Sequence, residues 1–195
     1  MRADGGIRIL DEPRDATLVS VLAYSGVRPW SEAIALTWDD VGERALRIYA
    51  PKTRRGRSVG LLGPLRAGLA AWRLASGRPA GRVPVFGTWG AHNPRNWRRR
   101  VWRRALERVR LNPSTPPYAL RHSFASLLIA EGRTAVEVAQ QLGHAPTMTL
   151  DTYAHLFAEF EPGARVPAEE RIRPAREAVF STSPAHTRPI AAGSS

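Results

Sequence analysis

Short stretches of helical periodicity, each cut off by glycine or proline, set the strongest limit on what this chain can fold into. Between Asn96 and Val109 the apolar residues Trp97, Val101, Ala105 and Val109 recur every four positions, and Trp102 and Leu106 widen the same stripe. A stripe of that period is one face of a helix, and it has to be buried against another element. Pro113, Pro116 and Pro117 end the pattern, because proline lacks the amide proton a helix needs. The next segment carries Leu120, Phe124, Leu127 and Leu128 on one side and stops at Gly132. Thr134 and Glu137 form a capping box that opens a helix through Val138 and Leu142, closed by Gly143. Upstream, Asp15 is placed to cap a helix through Leu18, Val19, Val21 and Leu22 to Tyr24, with Gly26 as its stop. Further helical segments are expected from Ser31, after Pro64 along Leu65, Leu69 and Trp72, over Leu150 to Phe157, and over Ala168 to Phe180.

Strand patterning is confined to a small part of the chain. Leu46, Ile48 and Ala50 alternate with Arg47 and Tyr49, and Arg57 to Leu61 alternates again. Thr53 to Gly56 reads as the turn between them, which puts Lys52 near the tip of a hairpin. A brief strand is expected from Val83 to Phe86. Five to seven helices with one small antiparallel sheet predict a mostly helical α+β domain. At 195 residues the chain suits a single domain, expected over 1–180, and the Ser-, Pro-, Thr- and Ala-rich stretch from Ser181 to Ser195 reads as a disordered tail.

The charge is lopsided. Lys plus Arg total 29 against 17 Asp plus Glu, a formal net charge of +12, which draws the chain toward a polyanion or an anionic surface. Lys52 is the single lysine, so the other 28 positive side chains are arginines. At that frequency no arginine is informative by placement alone, whereas the unrepeated lysine is. Residues 95–110 hold eight arginines and one acid, a local charge of +7 opposite the Trp97 stripe. Such a face suits phosphate contacts, although a solvated helix face is the plainer reading. No stretch of about 18 apolar residues is available to cross a bilayer, the first residues lack a secretory signal, and there is no cysteine. A soluble, cytoplasmic protein is therefore the expectation, without a membrane partner. Neither a nucleotide-phosphate loop nor a histidine pair at metal-ligand spacing occurs, so no cofactor and no metal are expected.

Sharper evidence lies in three segments of the second half. Leu120-Arg121-His122-Ser123-Phe124, Leu142-Gly143-His144 and Asp151-Thr152-Tyr153-Ala154-His155 follow in order. Singly each is weak, since a histidine near a helix end is usually an ordinary polar residue and a helical tyrosine is usually core packing. With Arg28 after Tyr24-Ser25-Gly26-Val27, and Lys52 in the hairpin, the set resembles the tyrosine recombinase and phage integrase family box by box, from about Asp15 to Ala178. Arg121 precedes His144 by 23 residues and His144 precedes Tyr153 by nine, spacings similar to the family's.

That resemblance implies the family's catalytic-domain fold and cleavage of double-stranded DNA by Tyr153 through a 3′-phosphotyrosine. Arg28 and Arg121 would grip the non-bridging phosphate oxygens, Lys52 would protonate the leaving 5′ oxygen, and His144 would donate a hydrogen bond to the same phosphate. Arg54, Arg55 and Arg57 of the hairpin and Arg95, Arg98, Arg99 and Arg103 are the expected DNA contacts. Strand exchange implies a homo-oligomer on DNA. One position departs from the family pattern: Tyr118 stands where a histidine is usual, three residues before Arg121. A phenol, with a reference pKa of about 10, is a poor base near neutrality. The acid expected three residues after Arg28 comes four after it, at Glu32, placed to orient Arg28 or Lys52 or simply to favour the first turn of a helix. His122 and His155 receive no catalytic role. With 27 residues before Arg28, the chain reads as a catalytic domain without the family's N-terminal helical domain. A DNA-binding remnant that does not cut, and a nicking-closing activity like that of type IB topoisomerases, are the competing readings.

Overall fold

The computed structural model describes residues 10–50, 55–90 and 93–160. Its first helix, α1 (Pro13–Ser25), begins earlier than the sequence suggests. Glu12 takes the capping position and Pro13 the first turn, where the fixed φ of proline is already helical and its missing amide proton costs nothing. Asp15 therefore does not cap the helix. It is buried in the first turn and accepts a hydrogen bond from Trp97 Nε1 at 2.9 Å. Leu18, Val21 and Leu22 form the inward face. The helix stops at Gly26 in the left-handed conformation, φ 60°. A Cβ there would lie 2.5 Å from Phe124 Cδ1 and 2.9 Å from Leu142 Cδ2, so glycine permits both the turn and the close approach of α1 to the second half of the molecule.

Two 3₁₀ turns, Ala33–Ala35 and Trp38–Asp40, lead to the sheet. Strands β1 (Ala45–Ala50) and β2 (Arg55–Gly60) pair antiparallel, with Leu46 opposite Val59 and Ile48 opposite Arg57. Leu46, Ile48 and Val59 point into the core, as period-two alternation requires. Pairing extends further than expected, since Arg55 and Gly56 lie in β2 opposite Ala50 and Tyr49 rather than in a turn. Lys52 and Arg54 lie outside the described residues. Val83 to Phe86 forms no strand: Thr37 and Pro84 make an isolated bridge, Trp38 N donates to Val83 O and Val85 N to Leu36 O. Pro84 has no amide proton to extend a ladder. Val85 and Phe86 are nevertheless fully packed.

Helix α2 (Gly63–Ala75) buries Leu65 and Leu69. The Trp97 stripe spans α3 (Asn93–Trp97), a π-helical turn (Arg98–Trp102) and α4 (Arg103–Arg108), starting three residues earlier than the expected Asn96. The π turn keeps Trp97 and Trp102 on one side, stacked at 6.2 Å between ring centroids, with Trp30 edge-on to Trp97 at 5.7 Å. These rings, α1, α2 and the sheet enclose one core.

A second core lies among α5 (Ala119–Ala130), α6 (Ala135–Leu142) and α7 (Pro146–Glu159), where Phe124, Ala125, Ile129, Val138, Leu142 and Tyr153 are buried together. Each large side chain buried there stabilises the fold by about 1.5–3 kcal/mol. Leu127 is a correction to the apolar stripe of α5. It is 62% exposed, because the neighbouring helices cover an arc through Phe124, Ala125 and Ile129 that leaves position 127 outside. The Thr134–Glu137 capping box forms, and Gly143 ends α6 at φ 68°. Helix α7 is longer than the expected Leu150–Phe157, starting at Pro146 for the same reason that α1 starts at Pro13. The expected segment Ala168–Phe180, the tail from Ser181 and the domain end near 180 lie outside the described residues. Among the described residues no helix is long and apolar enough to cross a membrane.

Candidate active site

Arg121 organises the site. It sits in the first turn of α5 at 1% exposure, and its guanidinium is satisfied by the ends of two other helices. Nη1 donates to Gly26 O, beyond the end of α1, and Nη2 donates to Leu142 O, the last residue of α6, at 2.7 Å. Terminal helix carbonyls have no amide partner of their own and carry the negative end of the helix dipole. Such compensation is what makes a buried cation tolerable. The glycine stops of α1 and α6 thus determine where the positive charge is held. Burial pulls the Arg121 pKa below its ordinary value, with nearby Arg28 and Arg57 acting the same way and Tyr118 and Glu32 opposing.

Glu32 is the second anchor, 2% exposed. Its carboxylate accepts from Arg28 N at 2.9 Å, Arg28 Nη1 at 2.6 Å, and both terminal nitrogens of Arg57 at 3.0 and 2.7 Å. Burial on its own would raise the Glu32 pKa, but the Arg57 hydrogen bond together with the contacts and charges of Arg28 and Arg57 hold it below the usual carboxylate value. Glu32 thus orients Arg28, whose side chain remains about one-third exposed. Arg57 departs from the expected DNA contact. Its side chain is 11% exposed, and its Nε donates to Gln141 O at 2.9 Å, so its donors are directed inward to Glu32 and to the end of α6.

His144 follows the Gly143 stop, and its Nε2 lies 2.6 Å from Arg121 Nη2. Because guanidinium can only donate, Nε2 accepts and the ring proton sits on Nδ1. Nδ1 is buried and makes no hydrogen bond among the described residues. Burial, then the charges of Arg121, Arg28 and Arg57, push the His144 pKa down to about 4. The imidazole is neutral at pH 7, and any hydrogen bond it donates must come from Nδ1.

Tyr153, on α7, is packed in the second core with its phenol oxygen 2.8 Å from His122 Nδ1. Burial raises the phenol pKa, with the charge of Arg121 opposing and Tyr118 reinforcing. Tyr118 immediately precedes α5. Its ring meets His122 edge-on at 5.2 Å, and Arg121 Cζ lies 5.9 Å over it. Arg28, Arg121, His144, Tyr118 and Tyr153 are therefore brought together, with Glu32 and Arg57 as support. His122, given no catalytic role from the sequence, is drawn into the same cluster by its contact with Tyr153. The signal for it was the four-residue spacing from Tyr118 on one helix face.

Away from this cluster, Arg95, Arg98, Arg99 and Arg103 are all exposed. Arg103 meets Glu107 at 2.9 Å and Arg99 meets Asn96 at 3.5 Å, while Arg98 donates to Ser114 O at 3.3 Å. Surface contacts of this kind are weak. The side chain of Arg55 lies outside what is described. No group of three or more metal-ligating side chains occurs among the described residues.

A buried guanidinium held by two helix ends, with a neutral imidazole, a second oriented arginine and a packed phenol around it, makes up the polar cluster of a mostly helical α+β scaffold. The chain belongs to the phage integrase family, which matches residues 8–159. It is 33% identical over 172 residues to the tyrosine recombinase XerC of Rhodospirillum centenum, covering 82% of this chain and 50% of that protein. It is 31% identical over 153 residues to the tyrosine recombinase XerD of Corynebacterium glutamicum, covering 75% of this chain and 49% of the relative. The chain thus spans about half the length of the curated relatives it matches. Among solved structures, the catalytic domain of bacteriophage HP1 integrase superposes with a TM-score of 0.57 at 22% identity, covering 93% of this chain and 89% of that one. The XerH recombinase bound to its difH substrate gives 0.57 at 19% identity, covering 84% and 46%.

Proposed function

We propose that this chain cleaves and rejoins double-stranded DNA as the catalytic domain of a site-specific recombinase, with Tyr153 as nucleophile. The observation that carries the proposal is the convergence on Arg121 of the Gly26–Arg28 segment, His144 and the α7 phenol, since metal-independent attack on a phosphodiester needs a nucleophile beside fixed positive charge. The phenolate oxygen of Tyr153 forms a bond to phosphorus as the bond to the 5′ oxygen breaks. The energy of the phosphodiester is kept in a 3′-phosphotyrosine, and a 5′-hydroxyl from the same or another strand reverses the step. Arg28 and Arg121 offset the charge that develops on the non-bridging oxygens, a task suited to guanidinium because it stays protonated at any working pH. His144 contributes its Nδ1 proton to the same oxygens. Lys52 serves as the acid for the leaving 5′ oxygen, a role that requires a group able to release a proton.

Arg95, Arg98, Arg99 and Arg103, with Arg54 and Arg55 of the hairpin, would bind backbone phosphates and set the register on DNA without reading its sequence. The partner is duplex DNA in the cytoplasm, and two or more copies assemble on it so that strands are cut together. The test is covalent capture: the chain is incubated with a pool of randomised duplexes carrying a nick, so that the short downstream fragment released with a free 5′-hydroxyl diffuses away. A protein–DNA adduct stable to denaturant is expected with the wild type and not with Tyr153→Phe. Absence of adduct in both, with salt-sensitive binding retained, would leave a DNA-binding protein and refute the catalytic reading.

A further inference from the structure

We propose that His122, which stands next to the phosphate-gripping arginine in the sequence, is a catalytic residue: its Nδ1 takes the proton from Tyr153 as the phenol attacks and returns it when the strand is resealed. This inference rests on the reading of Tyr153 as nucleophile and supplies the base which that reading leaves unassigned.

Five observations support it. The Nδ1 atom is 2.8 Å from the Tyr153 oxygen, within the hydrogen-bond reach that a proton acceptor needs. His122 is exposed, so water can solvate the charge that its ring gains. Tyr118 packs against the His122 ring edge-on, an arrangement that fixes the ring plane without transferring a proton. His144, the other imidazole of the site, has its Nε2 occupied by Arg121, and its low pKa makes it a poor acceptor. Burial also keeps the phenol of Tyr153 protonated at neutral pH, so attack requires that its proton be removed.

The step balances. In the resting site His122 carries its proton on Nε2, and Nδ1 accepts from the phenol. The O–H bond of Tyr153 breaks as the O–P bond forms, His122 becomes imidazolium, and the 5′ oxygen departs with a proton from a different acid. On resealing, the incoming 5′-hydroxyl loses a proton to that acid, and the imidazolium protonates the departing phenolate. The ionisable groups that meet His122 are Tyr118 from the turn before α5 and Tyr153 from α7; the adjacent Arg121 lies over the Tyr118 ring and its charge opposes the rise in the Tyr153 pKa.

The experiment uses the full chain and the duplex recovered by covalent capture. His122→Gln retains a group able to hold the phenol by a hydrogen bond but unable to take its proton. Duplex binding by this variant is expected to match the wild type, while adduct formation at pH 7 falls by about a hundredfold to ten-thousandfold. Its rate should then rise steadily with pH as hydroxide replaces the missing base, whereas the wild-type rate levels off. A substrate with sulfur at the bridging 5′ position, which leaves without an acid, should restore a Lys52→Ala variant and not His122→Gln. If His122→Gln forms adduct within about threefold of wild type with the same pH profile, or is restored by the sulfur substrate, the role given to His122 is wrong while Tyr153 stands. If the wild type forms no adduct, the reading of Tyr153 fails and this one falls with it.

Discussion

Replacing Glu32 by glutamine keeps the shape of the side chain and removes its charge, and the structure gives the cost. Each carboxylate oxygen accepts two hydrogen bonds, from Arg28 Nη1 and Arg57 Nη1 at Oε1 and from Arg28 N and Arg57 Nη2 at Oε2. A carboxamide accepts at one end only and turns donors toward the other pair, which removes two charge-assisted bonds of about 1.5–3 kcal/mol each. That agrees with the cost of about 3–5 kcal/mol for breaking a buried ion pair from one side. An expected destabilisation of about 3–5 kcal/mol at pH 7 corresponds to a fall in Tm of roughly 6–20 °C for a chain of this length. The effect depends on pH with a definite sign. Because the Glu32 pKa is lowered on folding, its stabilisation is complete above the unfolded value of about 4.3 and is lost as pH falls through the folded value. Urea unfolding of the wild type and Glu32→Gln, followed by the fluorescence of the six tryptophans at pH 7 and at progressively lower pH, measures both quantities. A variant within about 1 kcal/mol of the wild type at pH 7, or a gap that fails to narrow in acid, would refute the reasoning.

Other consequences follow from the same geometry. Gly26→Ala should destabilise the chain by about 2–5 kcal/mol in chemical unfolding, from left-handed strain together with the 2.5 Å approach to Phe124, and should slow adduct formation by shifting the carbonyl that holds Arg121. Arg121→Lys should lower the rate of adduct formation by about a hundredfold to a thousandfold, since an ammonium cannot bond both helix ends and a phosphate. His144 should titrate near pH 4 by NMR, and its contribution to stability should decline as pH falls from the unfolded value of about 6.5 toward 4, because the unfolded chain binds the proton first. Replacing Arg95, Arg98, Arg99 and Arg103 with alanine should reduce the slope of log affinity against log salt by about 0.9 for each phosphate that is no longer neutralised.

Features determined by neighbours in the chain were legible in the sequence, and those determined by packing were not. Gly26 and Gly143 were readable as helix stops because a left-handed residue is a local requirement, and the Thr134–Glu137 box was readable for the same reason. The hairpin, and the order of Arg28, Arg121, His144 and Tyr153, could likewise be read along the chain. By contrast, Arg57 and Glu32 are 25 residues apart, and Arg57 and Gln141 are 84 apart, so only the folded chain shows that this arginine faces inward. Composition hid it as well, since one arginine among 28 carries no mark. Leu127 matches the α5 stripe by period and yet is exposed, because periodicity defines a helix face without fixing how much of it is covered. Asp15 has the chemistry of a cap, but Pro13 set the start of the helix first. The pairing of His122 with Tyr153 joins residues 31 apart on different helices, a proximity that no local pattern encodes.

The central claim concerns one oxygen atom, and peptide mapping addresses it most directly. The covalent complex recovered from nicked duplex is digested with nuclease and protease, and the peptide that retains a nucleotide is sequenced by mass spectrometry. The modification is expected on Tyr153, joined through a 3′ phosphate. Modification of Tyr118 or of any other side chain, or linkage through a 5′ phosphate, would contradict the claim.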